Sequence, residues 1–223
     1  MTRGALMILP LALGAGAYGF AFGLVASSLG FPAWGIGLMG VGVFAGSSQI
    51  VAVDQFAGGG GGWSAVGGAL IAGTAMNLRY LGILASLSDV LRGLSWPLRL
   101  LAIHLTSDEN WALTLSERAK DPAIDASFLI GGGFVLVVLW AGSTALGAWA
   151  GAALPDVASW GVGFAFTAAF IAMARGLWRG RRDALPYATA FAATVAAIHL
   201  GAAGFAAILI GAACGTMAAG IAR

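Results

Sequence analysis

The sequence predicts an all-α integral membrane protein with about seven transmembrane helices, a re-entrant or broken helix pair, and an inverted repeat. Three observations predict it. The 223 residues are 60% hydrophobic and only 9% charged, with a mean hydropathy of +0.92. A soluble domain carries about 25% charged residues, so this composition cannot build a water-facing surface. Apolar runs recur from end to end at roughly 20 residues, the length that crosses a hydrocarbon core. These runs are continuous and do not alternate, which excludes a transmembrane β-barrel. The 36 glycines suit helices that approach closely in lipid.

The spans are expected at Ala5–Leu29, Ala33–Phe56, Trp63–Leu87, Ala126–Ala152, Val157–Leu177, Leu185–His199 and Gly201–Ala222. The first is read as a retained span, because Thr2-Arg3 and the run behind it lack a signal-peptide cleavage site. Gly30-Phe31-Pro32 and Leu154-Pro155-Asp156 read as turns, and Gly58 to Gly62 as a flexible link or close backbone approach.

Leu98–Ser116 departs from this pattern. Two apolar pieces of about two turns each flank the polar Thr106-Ser-Asp-Glu-Asn110. Neither piece is long enough to cross. Thr106-x-x-Glu109 and Ser107-x-x-Asn110 carry helix N-cap chemistry. Two half-helices meeting at a polar break fit, and so does a surface loop with short helices. Irregular backbone at membrane depth requires a cavity or a protein wall.

The excess of positive charge, net +2, suits membrane anchoring and not nucleic-acid binding, since no basic run is interleaved with aromatics. Arg92, Arg99, Arg118, Lys120, Arg175, Arg179, Arg181, Arg182 and Arg223 share one side if Leu98–Ser116 dips in without crossing. Arg3 alone then lies opposite. That orientation puts the N-terminus outside and the C-terminus in the cytoplasm; if Leu98–Ser116 crosses, there are eight spans with both ends inside, and Arg92 and Arg99 are misplaced. Trp34-Gly-Ile-Gly37 leading to Phe44 is echoed by Trp160-Gly-Val-Gly163 leading to Phe170. The echo suggests one membrane domain with repeat halves 1–97 and 121–223 around a broken segment, 98–118.

Ionisable and polar residues in such a chain are the candidate site. Arg79 could hold a carboxylate in a bidentate fork, snorkel to an interface, or pair with Asp54. Ser47, Ser48, Gln49 and Asn77 could supply hydrogen bonds to a substrate, or between helices. Asp108, Glu109 and Asn110 could cap the following helix, bind an ammonium group, or carry protons. Asp54 and His104 are candidates for proton coupling, His104 because it titrates near neutrality. His199 and Cys214 read as structural. The spacings support neither a serine–histidine hydrolase nor a metal motif such as H-E-x-x-H, so no enzyme, metal or cofactor is expected. No nucleotide-binding loop is present.

In order and spacing, Gly46-Ser47-Ser48-Gln49, Asn77-Leu-Arg79-Tyr80 and Ser107-Asp108-Glu109 resemble the AzlC family, the large subunit of branched-chain amino acid exporters. Tyr18-Gly-Phe-Ala-Phe-Gly23 is similar to that family's first span. This chain departs from the family at Ser47, Tyr80 and Ser107, where alanine, histidine and threonine are frequent. The resemblance implies a multi-pass protein of the bacterial inner membrane, a small four-span partner of the AzlD type, and proton-driven export of apolar amino acids. The competing readings are a non-transporting assembly subunit, or a channel or transporter for another small solute.

Overall fold

The computed structural model describes residues 1–58, 62–154, 171, 175, 178, 180–202 and 204–221. These fall into two compact units, Met1–Thr167 and Ala168–Arg223. The expected span Val157–Leu177, the Pro155 turn, the Trp160–Phe170 echo, Arg179 and Arg223 fall largely or wholly outside the described residues.

The first unit is built on α1 (Thr2–Met7), α2 (Leu9–Ser28) and α9 (Ala126–Ala153). Both long helices are apolar around their whole circumference, which suits a helix buried in lipid and protein. They run parallel. Gly4 lies against the backbone of Phe128, Gly19 against Ser143 and Trp140, Gly23 against Thr144, and Gly151 against Ser27. The contacts are reciprocal: a side chain on Gly23 would strike the Thr144 carbonyl, and one on Gly147 the Phe20 carbonyl. Small residues draw these backbones together because lipid offers no hydrophobic force between helices. The α2 helix ends in a Schellman motif. Gly30 takes φ +85°, its N–H donates to Ser27 O, and the Phe31 N–H donates to Ala26 O at 3.0 Å.

The expected second span is where the structure departs most from the sequence reading. Ala33–Phe56 does not cross as one helix. It breaks into α3 (Ala33–Gly42) and α4 (Gly46–Gly58), and Phe44 at the break has φ +42°. The α3 helix descends antiparallel to α9, with Gly37 near Ala145 and Gly46 against the Trp140 ring. The α4 helix then returns, which brings Phe56 back to Phe31, ring centroids 5.8 Å apart. The segment is a helical hairpin, each arm shorter than the roughly 20 residues a crossing needs. Its signal was hidden because Val43, Phe44 and Ala45 are apolar, so hydropathy runs smoothly through the break.

The next crossing is α5 (Gly62–Asn77) continued by α6 (Arg79–Ser86), interrupted only at Leu78. Next comes α7 (Trp96–His104), a break over Leu105–Ser107, and α8 (Asp108–Lys120). Two short helices stand on either side of the polar break. Ser107 is the cap: its Oγ accepts from the Asn110 N–H, while Thr106 Oγ1 turns back to Ala102 O at 2.7 Å. Among the described residues three helices are long and apolar enough to cross a membrane: Leu9–Ser28, Gly62–Ser86 and Ala126–Ala153. The count of about seven is therefore not reproduced there.

The expected charge arrangement is also corrected. Arg3 does not lie opposite the other cations. It pairs with Asp121 at 2.8 Å and Glu117 at 3.4 Å, and Lys120 bonds the same Glu117 at 2.7 Å. Arg92 lines a cavity of about 510 Å³ together with Met1, Asp125 and Ser127. The N-terminus therefore shares its end of the unit with Arg92, Arg118 and Lys120. The α7–α8 hairpin enters from this end, and the α3–α4 hairpin enters from the opposite one. This inversion lies within the first unit, in elements other than the expected repeat halves.

The second unit holds a short 3₁₀ turn at Arg181–Asp183 with α10 (Ala184–His199) and α11 (Gly204–Ile221) packed together. Gly215 sits against Ala190 and the Pro186 carbonyl, so small residues set the approach again. Cys214 is a free, partly buried thiol on α11.

Candidate functional site

The two hairpin tips meet. His104 Nε2 lies 2.9 Å from Val41 O, and the His104 and Phe44 rings are 6.3 Å apart. A carbonyl only accepts, so Nε2 carries the proton in this bond. His104 thus ties one tip to the other.

Around this meeting point two helices begin, α4 and α8, and the α5–α6 helix is interrupted at Leu78. Ser47, Ser48 and Gln49 occupy the first turn of α4, Arg79 opens α6, and Asp108, Glu109 and Asn110 open α8. Helix N-termini carry unpaired N–H groups and partial positive charge, so their convergence favours an anion. Arg79 sits at the centre. Its Nη2 lies 2.9 Å from Asp108 Oδ2 and donates to Ser47 Oγ at 2.9 Å, and its guanidinium carbon lies 5.5 Å from the Tyr80 ring centre. One guanidinium therefore bridges the two hairpins. Arg79 and Asp108 are each about one-third exposed, so the pair is reachable.

The neighbouring polar residues divide into two groups. Ser48 Oγ bonds Asn77 Oδ1 at 2.9 Å and Gly73 O at 3.2 Å, which ties α4 to α5. Glu109 is half-buried and acts electrostatically on Asp108, Tyr80 and Tyr18. These residues share the Arg79 neighbourhood. Asn110 does not serve it. It is fully buried, and its Nδ2 donates to Leu105 O at 3.1 Å and Leu129 O at 2.7 Å. It locks the break of the second hairpin onto α9. Asp54 is exposed on α4, and the partner of Arg79 is Asp108 and not Asp54.

Gln49 is buried, and its Oε1 accepts from Trp140 Nε1 at 2.8 Å. An indole N–H only donates, which fixes the orientation of the amide. Trp140, at the middle of α9, also stacks on Phe22 at 6.1 Å and tilts against Tyr18 at 5.7 Å. Sequence reasoning passed over Trp140, Tyr18 and Phe44 as site-forming residues. A tryptophan with a polar N–H in the middle of a long apolar span was the available signal.

At the end that holds Arg3, Lys120 and Arg3 beside Glu117 hold its carboxyl below the ordinary 4.5, and Arg3 holds Asp121 below 3.8. Asp125 is lowered in the same way by Ser127, whose N–H and hydroxyl it accepts. Among the described residues no group of His, Cys, Asp and Glu is placed to hold a metal ion.

A family model described as AzlC protein matches residues 10–154, well over half of the chain. The matched stretch runs from the first turn of α2 through α9 and includes both hairpins and every residue named around Arg79. No curated protein and no solved structure matches the chain.

Proposed function

This chain belongs to the AzlC family, and from that premise we propose that it is the large subunit of a secondary exporter of branched-chain or similar apolar amino acids. The family and the apolar helices fit a membrane protein with a transport-related role. The observation that carries the finer reading is the Arg79–Asp108 pair, set where the N-termini of α4 and α8 converge between two helical hairpins.

A zwitterion needs a cation for its carboxylate and an anion for its ammonium. Arg79 and Asp108 supply both within hydrogen-bond distance of each other, 2.9 Å, and each currently satisfies the other. An amino acid enters by exchange: its carboxylate takes Asp108's place on Arg79, and its ammonium takes Arg79's place on Asp108. Charge balance is kept throughout, which matters because an unpaired charge at membrane depth costs several kcal/mol. Ser47 and the first turn of α4 add donors for the carboxylate, and Glu109 adds negative charge near the ammonium. The hairpins open toward opposite ends, so loosening one tip at a time exposes the pair to one side at a time. Arg79 contacts both tips, so its exchange of partner is felt by both.

The reading includes a small AzlD-type partner, a bacterial inner-membrane location with the Arg3, Arg92, Arg118 and Lys120 end in the cytoplasm, and drive by the proton gradient. Cells carrying the chain and its partner should release labelled leucine, isoleucine and valine faster than controls. Arg79→Ala should cut that release at least about a hundredfold, the scale of removing one member of a hydrogen-bonded charge pair, with protein still in the membrane. Normal release by Arg79→Ala would sink the carboxylate role. No flux with any partner would make the chain an assembly subunit. Flux that survives collapse of the pH gradient would make it a channel.

A further inference from the structure

Hydrogen bonds divide the α5–α6 crossing between the two hairpins. Ser48 Oγ bonds Asn77 Oδ1 at 2.9 Å and Gly73 O at 3.2 Å, so α5 is fastened to the first hairpin. Trp111 Nε1 donates to Ser86 Oγ at 2.8 Å, and Arg79 pairs with Asp108, so α6 is fastened to the second. Between the two halves the Leu78 N–H bonds Ala75 O at 3.3 Å, and the Leu81 N–H bonds Leu78 O at 3.1 Å. These are three-residue spacings where a regular helix has four. A tightened turn inside a longer helix is a usual place for a hinge.

Across that hinge the described residues show two polar ties, Arg79 Nη2 to Ser47 Oγ and His104 Nε2 to Val41 O, each 2.9 Å. We infer that His104 is a positioning residue: the hydrogen bond from its Nε2 to Val41 O latches the two hairpin tips together, and the ring serves there as a donor and not as a carrier of the coupling proton. This rests on the exporter reading above and specifies how its site is held closed.

The two breaks create the latch. Val41 lies in the last turn of α3, where a carbonyl has no partner within its own helix. His104 is the last residue of α7, so its ring stands at the opposite tip. The Phe44 ring, 6.3 Å from it, lies beside the bond. A substrate carboxylate on Arg79 disturbs the first tie, because Arg79 must release a partner to accept it. The second tie is untouched, since neither His104 nor Val41 belongs to the charge pair. It therefore limits how far the tips part whether the site is empty or loaded. A ring that gave up its Nε2 proton would turn a lone pair toward Val41 O and lose the contact.

The test separates donor from proton carrier. Glutamine carries an amide N–H about as far along the side chain as Nε2 and does not titrate. Asparagine stops short, near Nδ1, and phenylalanine keeps the ring against Phe44 without a donor. Leucine efflux driven by a pH gradient is measured in cells with the full chain and its partner, for wild type, His104→Gln, His104→Asn and His104→Phe, with membrane levels matched. His104→Gln should stay within about twofold of wild type, and the other two should fall roughly tenfold, the scale of one hydrogen bond. Loss in His104→Gln equal to that in His104→Phe would make the ring a proton carrier and overturns the inference. Normal efflux in all three overturns it too, while leaving the exporter reading intact. A wild type that exports no leucine defeats the exporter reading itself.

A second readout needs no flux. Ala45 is buried at the first tip, and Cys214 is the chain's one cysteine. In a Cys214→Ala background, the thiol of Ala45→Cys should react with a membrane-impermeant maleimide roughly tenfold faster when His104→Phe is added, and at an unchanged rate with His104→Gln. Equal rates with and without His104→Phe would show that the bond does not hold the tips, whatever the chain transports.

Discussion

The two hairpins have the same outline and opposite internal economy. At the α7–α8 break most polar groups have a local partner: Ser107 caps Asn110, Thr106 bonds Ala102, and Asn110 Nδ2 bonds both Leu105 and Leu129, while Asn110 Oδ1 is buried without one among the described residues. The α8 helix even carries its own anions, Asp108 and Glu109, in its first turn. The α3–α4 break is bare. Ala45 precedes α4 and offers no side-chain acceptor, the first turn of α4 contains no acid, Phe44 is held at φ +42°, and Gln49 Nε2 is buried without a partner among the described residues. An uncapped, strained helix start costs stability unless something else pairs with it. The difference assigns different roles. The second hairpin caps its own break and carries acids in its first turn, whereas α4 starts with neither a side-chain cap at Ala45 nor an acid.

The sharpest way to break this comparison is to disarm each tip in turn. Asn110→Ala should destabilise the protein by about 2 kcal/mol, because two buried carbonyls lose a donor while one unpaired acceptor is removed. Gln49→Met should cost about 1 kcal/mol, since it removes one bond from Trp140 but also an unpaired donor. Thermal unfolding in detergent measures both, and equal losses would erase the distinction between the tips.

Capping gives a finer contrast. Ser107→Ala should cost about 1 kcal/mol through loss of the cap. Ala45→Ser should do the reverse at the other tip: it raises stability by up to about 1 kcal/mol and slows efflux, because the new hydroxyl competes for N–H groups that the substrate carboxylate needs. Faster efflux in Ala45→Ser would show that the α4 start is not part of the anion site.

The smallest effect concerns the rim at which the second hairpin enters. Glu117 and Asp121 titrate below their ordinary values because Lys120 and Arg3 stabilise the charged forms. Their contribution is complete above the ordinary carboxylate range and is lost as pH falls through the depressed folded values. Arg3→Ala should weaken that dependence. A melting temperature that responds to acid equally in both proteins would mean that the α1–α8 contact does not matter. Topology offers a companion check. Single cysteines at positions 3 and 121, in a Cys214→Ala background, should be labelled from the same side of the membrane.

Much was legible before any coordinates. The polar break at Thr106–Asn110 announced itself because five polar residues interrupt an apolar run. Arg79 stood out for the same reason, and the order of the three polar clusters was enough to match a family. The roles inside those clusters were not legible. Asn110 and Asp108 are two positions apart on one helix turn, yet one faces α9 and the other faces Arg79. The first hairpin was invisible, since nothing polar marks Val43–Ala45.

By itself, then, the sequence determined the solvent, the helical class and the chemical character of the site, because composition and periodicity answer directly to the low dielectric of a bilayer. Tertiary structure decided which helices cross and which turn back, that Arg79 pairs with Asp108 and not Asp54, and that the N-terminus shares an end with Lys120. Those outcomes depend on glycine seams, a left-handed φ at Phe44 and a tryptophan 91 residues from its glutamine. The glycine seams and the Trp140–Gln49 bond join distant parts of the chain, and the Phe44 backbone is held by its surroundings, so no local pattern records them.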